Sequence, residues 1–494
     1  MTHGSARHPA PAESAEVVVV GGGAAGLVAA IEAADQGARV LLLQKLPEPG
    51  GKSALAIGSI SAAGTSLQRS RGIDDDHAQH RRDLRARIDR GGIEPLAMDK
   101  LDQVLEHGPA AVEWLLELGV TMSGPHPELA TERWRMHVIT PDVRSLVSVL
   151  AQQARRRGVR IRGDWAVQGL VTDDAGRVIG VSGPGGVVVL ADSHVVLATG
   201  DWSSPAVLGA TGPVGSEFAF RPWSSGDGHH LARTVGGELT HLDRPLKLQL
   251  RSIDWPHIEP QAALLAAGGI LVDRTGRRVT NELDDPAAHI AHGADEDVYL
   301  VLDDRVVRRI ATAADDSPHA RDGWLTQDKL YVATFPGVAY AYVDDVVQAG
   351  YGALGDTPGE LAAGLRIDPD GLARTLAQYN TAVAAGAPDE LGRAERQPVD
   401  RAPYFGIGPM TCRAILGRAG IRTDGQARVL RADGTPVAGL LAAGAAAGVT
   451  GFAYGHGYEL AWAVVSGRIA GRTAAAAPTT EPDLDPTPTE LANT

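Results

Sequence analysis

Three glycines define the chemistry this chain can hold: Gly21, Gly23 and Gly26 in EVVVVGGGAAGLVAA follow the GxGxxG spacing. Glycine there lets the backbone turn tightly after a strand and brings the amides of a helix start, Ala24 and Ala25 among them, up to a pyrophosphate. A second cluster lies in FAYGHGYEL near the carboxyl end, where Tyr454, His456, Tyr458 and the Gly457 amide could polarise a carbonyl oxygen. Each of these aromatics could instead simply pack against its surroundings. A general base is harder to place. His289 and His292 in HIAH are spaced to share a helix face, yet no third ligand accompanies them, so no metal is expected. His137, residues 254–260 and Glu459 are further candidates, each with a structural alternative.

The elements that must position these residues can be read from periodicity. Residues 16–45 form a βαβ pattern: a β-branched strand, the glycine turn, an amphipathic helix ending near Gly37, and a second strand. That second strand ends at Gln44 and Lys45, where such units usually place an acid against ribose hydroxyls. The Gln44 amide can still accept one hydrogen bond from a hydroxyl. A strand at 194–197 leads into Ala198-Thr199-Gly200-Asp201, and Gly226-Asp227-Gly228 precedes a helix. A last helix is expected to start at 458–460, after Gly455 and Gly457, with its amino end able to stabilise negative charge.

The stretch PGGKSALAIGSISAAGT (49–65) resembles the second flavin-binding segment of the fumarate reductase and ketosteroid dehydrogenase families, the likeness being carried by Gly50, Gly51, Ser53 and residues 58–65. The Ala-Thr-Gly turn, the Gly-Asp-Gly turn, DGTPVAGLLAAGAAAG (433–448) and VTGFAYGHGYELAWAVVSGRIAG (449–471) follow in the order of that superfamily, so the resemblance spans about residues 16–475. It implies FAD, held noncovalently because this segment lacks the histidine that covalent members use. The implied contacts are Gly21, Gly23, Ala24, Ala25, Gly26, Gln44, Lys45, Gly51, Lys52, Ser53, Ile57, Gly58, Ala166, Val167, Ala198, Thr199, Gly200, Asp227, Gly444, Ala445, Glu459 and Leu460. Ala445 stands where the family usually carries an acid, a second loss beside Gln44. The implied fold is α/β: a discontinuous Rossmann-like FAD-binding domain (15–244 and 403–476) with an inserted α+β capping domain (245–402) between disordered tails at 1–14 and 477–494.

The same resemblance shows what the substrate pocket has lost. Five residues after Asn281, where fumarate reductases place a proton-donating arginine and ketosteroid dehydrogenases a tyrosine, stands Pro286. The upstream proton relay falls on Gln261, Ala262 and Leu265, the paired histidines on Ile415 and Leu416, and the terminal arginine on Tyr454. A dicarboxylate would meet no bidentate cation in such a pocket, which argues against fumarate and succinate. The ketosteroid dehydrogenases hold a ketone oxygen with a tyrosine and a glycine amide; their glycine falls on Gly457 and their tyrosine on Ala453, one residue from Tyr454.

Composition narrows the class further. The chain has 494 residues, 44% of them apolar, and a net charge of -14, which suits a large soluble enzyme and not a nucleic-acid binder. No apolar run is long enough to span a membrane, residues 1–14 contain no secretory signal core, and the single Cys412 agrees with a reducing, cytoplasmic setting. The expected activity is an FAD-dependent oxidoreductase acting on a carbon-carbon bond beside a carbonyl in a small, neutral, largely apolar substrate, in either direction. Two alternatives stand: oxidation of a C-O or C-N bond, and a flavin-binding protein with a non-redox role. The substrate's identity, the electron acceptor and the oligomeric state are not written in the sequence.

Overall fold

The computed structural model describes residues 13–56, 58–89, 98–126, 133–203, 217–218, 224–242, 246–252, 262–284, 286–292, 297–312, 346–450 and 457–476. Early and late segments of the chain together build an eight-stranded sheet. The main path runs Arg428–Leu430, Pro436–Ala442, Val188–Leu197, Glu13–Val20, Val40–Leu43, Arg160–Arg162. The strand Glu13–Val20 pairs in parallel with both Val40–Leu43 and Val188–Leu197, placing Val20 opposite Leu43 and Leu197. Strands buried on both faces read as unbroken apolar runs, as VVVV and VLLL do here. The first strand starts at Glu13, inside the expected amino-terminal tail, because Glu13 and Ser14 pair with Val189 and Leu190. The Glu13 carboxylate also bonds Arg160 and Arg162.

Two helices cover one another behind this sheet. The first, Ala24–Asp35, is almost entirely buried, and the terminal helix, Tyr458–Ala475, lies against it. Small residues allow the approach: a Cβ on Gly467 would come 2.6 Å from the Ala25 carbonyl oxygen, and one on Gly471 2.5 Å from that of Ala29. Glu32, buried in the first helix, bonds Arg468 and Arg472 of the terminal helix and fixes their register.

The intervening chain forms a six-stranded sheet whose central strand, Tyr404–Gly417, pairs with Glu217–Phe218, Leu246–Ser252, Val298–Asp303 and Gly352–Gly355. Its faces alternate with the two-residue period of a strand. Val298, Leu300 and Leu302 pack into one apolar cluster with Leu271 and Ile407, while Tyr299 and Val301 join Ile270 and Val272 in another. This sheet takes in strands on both sides of the 245–402 insert, since Glu217–Phe218 and Tyr404–Gly417 belong to it. The helix Pro369–Ala384 is capped by Asp368. Among the described residues, no helix is long and apolar enough to cross a membrane and no group of histidine, cysteine and carboxylate side chains could hold a metal.

Candidate cofactor site

The site lies where parallel strands end, the usual position for a ligand crevice in an open α/β sheet. Gly21 follows the first strand at φ +109°, and a Cβ there would sit 2.3 Å from the Ala198 carbonyl oxygen. Gly26 is tighter still, its missing Cβ 1.9 Å from the Gly21 oxygen. The sequence thus folds the turn so that Gly23 begins the first helix with no side-chain cap and no acid in its first turn. Ala24 donates its amide to Ser53 Oγ at 3.0 Å, which joins the 49–65 segment to the glycine turn. Gln44 is buried, and its Oε1 accepts the Gly22 amide at 2.8 Å while Nε2 donates to the Glu48 carbonyl at 3.3 Å. Its observed work is to clamp the turn; a ribose hydroxyl would share an oxygen already bonded to Gly22.

A buried ion pair stands beside this turn. Lys52 Nζ lies 2.8 Å from Asp201 Oδ2 and 2.6 Å from Ser203 Oγ, and the Gly417 amide donates to the same Asp201 oxygen at 2.6 Å. Burial would raise the Asp201 pKa, but Lys52 and these hydrogen bonds outweigh it and hold the carboxyl below its usual range. Lys45 and Asp227 pair with each other at 3.0 Å, with Ser225 bonded to both. Ala166 and Val167 are half-buried in the chain after Arg160–Arg162, and Ile57 lies outside the described residues.

Whether these residues fit FAD can be tested on the groups they leave unsatisfied. Thr199 Oγ1 and Asp201 Oδ1 are buried without a hydrogen-bond partner among the described residues, two residues apart on the turn after Val188–Leu197. Gly51 and Gly200, both at positive φ, have nothing within 4 Å of a hypothetical Cβ. Open backbone, a helix start whose Gly23 brings no side-chain cap, and orphaned acceptors together fit a phosphate- and hydroxyl-bearing cofactor.

The terminal helix supplies the other wall. Gly444–Ala447 form a 3-10 turn, held by the Gly444 amide on Ser466 Oγ at 2.8 Å and by Trp462 Nε1, which donates to the carbonyls of Gly444 and Gly448 at 3.1 and 3.0 Å. Ala445, within that turn, is half-buried, and Leu460 is buried in the helix. Glu459, in the first turn of the terminal helix, accepts from Thr450 Oγ1 at 2.8 Å. Gly457 opens that helix at φ +88°, and its carbonyl accepts the Ser61 amide at 3.4 Å, which places the helix start directly on the 58–65 segment.

The catalytic candidates are not brought together. Tyr454 and His456 lie outside the described residues, as do 254–260. The expectation for Tyr458 is corrected: it is 1% exposed, and its hydroxyl meets His80 Nε2 at 2.7 Å in the interior, leaving no surface to present to a substrate. His289 is exposed on the helix Pro286–His292, its Nδ1 3.3 Å from Thr280 Oγ1. His137 is fully buried between Thr65 Oγ1 at 2.8 Å and the Ile60 carbonyl at 3.2 Å, and burial pushes its pKa down to about 4. Sequence reasoning missed His80 and Lys100. Both are buried, and neither stands in a motif.

The comparisons with known proteins agree with this geometry. The FAD binding domain family matches residues 16–460. The chain is 28% identical to NADH:fumarate oxidoreductase of Klebsiella pneumoniae (strain 342), covering 88% of this chain and 45% of that one, so it spans less than half the length of this relative. It is 27% identical to fumarate reductase (cytochrome) of Shewanella frigidimarina, covering 90% of this chain and 74% of that one. Among solved structures, 3-ketosteroid-delta4-(5alpha)-dehydrogenase from Rhodococcus jostii RHA1, in complex with 4-androstene-3,17-dione, superposes with a TM-score of 0.68 at 25% identity, covering 95% of this chain and 99% of that one.

Proposed function

The chain belongs to the FAD binding domain family, and from that premise we propose that it is an FAD-dependent oxidoreductase that introduces or saturates a carbon-carbon double bond beside a carbonyl in a neutral, largely apolar substrate. Bound FAD supplies a two-electron centre that exchanges hydride at N5. In the forward direction the substrate loses a proton from its α carbon to a base and a hydride from its β carbon, and gains a double bond. The first helix, whose Gly23 brings no side-chain cap, would orient the cofactor's pyrophosphate. Thr199 Oγ1 and Asp201 Oδ1 would accept from its hydroxyl groups. Gly457 and Tyr454 are the proposed hold on the carbonyl oxygen.

The observation that carries this reading over its fumarate-reducing relatives is Pro286. It opens the helix Pro286–His292 at the position where the resemblance calls for an arginine or tyrosine, and it offers no proton to transfer. A neutral pocket suits a substrate with one polar handle, because an unpaired carboxylate there costs several kcal/mol. The reading also extends to noncovalent FAD and a cytoplasmic setting.

The test is anaerobic. Neutral ketones are expected to bleach the oxidised flavin, and enones to reoxidise the dithionite-reduced enzyme, while fumarate does neither. Reoxidation by fumarate with no response to either neutral class would overturn the proposal.

A further inference from the structure

Lys100 stands two residues inside the helix Met98–Glu117 and is only 6% exposed. A buried ammonium ordinarily gathers acceptors for its three donors. Lys100 makes no hydrogen bond and no ion pair among the described residues, while Glu459, the acid that acts on it from the terminal helix, is engaged by Thr450 Oγ1. Burial lowers the Lys100 pKa, and Asp99 and Glu459 oppose that shift and favour the charged form.

Its position is specific. Lys100 Nζ would lie 3.4 Å from a Cβ on Gly448, the residue that closes the Gly444–Ala447 turn. It therefore sits with the two elements that form the far wall of the cofactor site: that turn and the amino end of the terminal helix. Two acids that the resemblance calls for around the cofactor are absent, with Gln44 and Ala445 in their places. A buried cation without a hydrogen bond or ion pair among the described residues, at a wall where Ala445 replaces one acid and the remaining one, Glu459, is engaged by Thr450, is arranged for an anionic guest.

We infer that Lys100 is a charge-compensating residue for the pyrimidine edge of the flavin, binding the two-electron-reduced cofactor, which carries negative charge there, more tightly than the oxidised one. The inference rests on FAD occupying the site proposed above. It adds a point charge to the helix-end dipole, which alone supplies a partial charge. It also implies that Lys100 adds nothing to the stability of the protein without its cofactor, because an unpaired ammonium gains nothing from burial.

The experiment compares wild type with K100M, K100Q and K100R in three measurements: dissociation of oxidised FAD, the midpoint potential of the bound flavin by dye equilibration, and the melting temperature of the apoprotein. Both neutral variants are expected to lose at least about tenfold of the preference for reduced over oxidised FAD, which a two-electron couple displays as a potential lower by roughly 30 mV. Their apoproteins should melt at or above the wild-type temperature, and K100R should retain the wild-type potential. An unchanged potential in K100M and K100Q overturns the inference, as does destabilisation of both apoproteins, which would make Lys100 a structural residue. A wild-type protein that binds no FAD would instead refute the cofactor assignment.

Discussion

With its hydroxyl 2.7 Å from His80 Nε2 and the two rings 5.7 Å apart at 45°, Tyr458 ties the start of the terminal helix to the helix His77–Asp89. Burial, and then the charge of Arg135, push the His80 pKa well below the ordinary imidazole value, so the ring stays neutral and can accept or donate only one bond per nitrogen. Arg135 is itself held by Asp75 and Asp83, at 2.7 and 2.6 Å. Such an arrangement is built for stability. Y458F is expected to cost about 1–3 kcal/mol, because it leaves a buried imidazole nitrogen without its partner, while kcat and KM stay at wild-type values. Urea unfolding alongside steady-state assay checks both. A fall in kcat of tenfold or more with intact stability would return Tyr458 to the catalytic list.

Elements are joined in this molecule by pairs far apart in the chain, and the Lys52–Asp201 pair is the clearest. Lys52 belongs to the 3-10 turn Gly51–Leu55, Asp201 to the turn after Val188–Leu197, and the Gly417 amide on Asp201 to the central strand of the second sheet. One carboxylate thus binds both sheets at the cofactor's edge. Removing one member of a buried pair costs about 3–5 kcal/mol because the other is left uncompensated. K52M and D201N are each expected to destabilise at the low end of that range, since Lys52 is 23% exposed, and to loosen FAD. The double variant should fall short of the summed single effects by about 0.5–3 kcal/mol, measured by urea titration and flavin release. What the sequence made legible and what it hid divide along this line. The βαβ unit, the glycine turn and the terminal helix were readable because strand and helix periods and glycine spacing are local properties. The partners of Lys52, 149 residues away, and of Tyr458, 378 residues away, are products of topology, and no periodicity announces them. The expectation that Tyr458 faces the substrate failed for that reason: residue type and nearness to Gly457 were visible, and burial was not.

At the scale of the whole molecule, several histidines are folded into the interior uncharged, and this gives stability a direction in pH. His137 and His229 have pKa values pushed to about 4 by burial, and His80 and His194 shift the same way for the same leading cause. The unfolded chain, with imidazoles near 6.5, takes up protons that the folded interior refuses, so stability is full above pH 6.5 and falls as pH drops toward 4. For a single histidine shifted from 6.5 to about 4, the loss is about 2 kcal/mol between pH 7 and pH 5 as an upper bound. Asp201, whose carboxyl lies below 3.8, adds its own loss only below that window. The fold should therefore weaken steeply between pH 6.5 and 5, well before its carboxylates titrate. H137Q and H229Q keep an amide able to donate to the Ile60 and Ala419 carbonyls that these rings now meet at 3.2 and 3.0 Å, without a group to protonate. Whatever each variant loses in packing at pH 7, the difference in unfolding free energy between pH 7 and pH 5 should shrink by about 1–2 kcal/mol per substitution. Urea titrations at the two pH values measure it, and an unchanged difference in both variants would move the acid sensitivity to groups outside these two imidazoles.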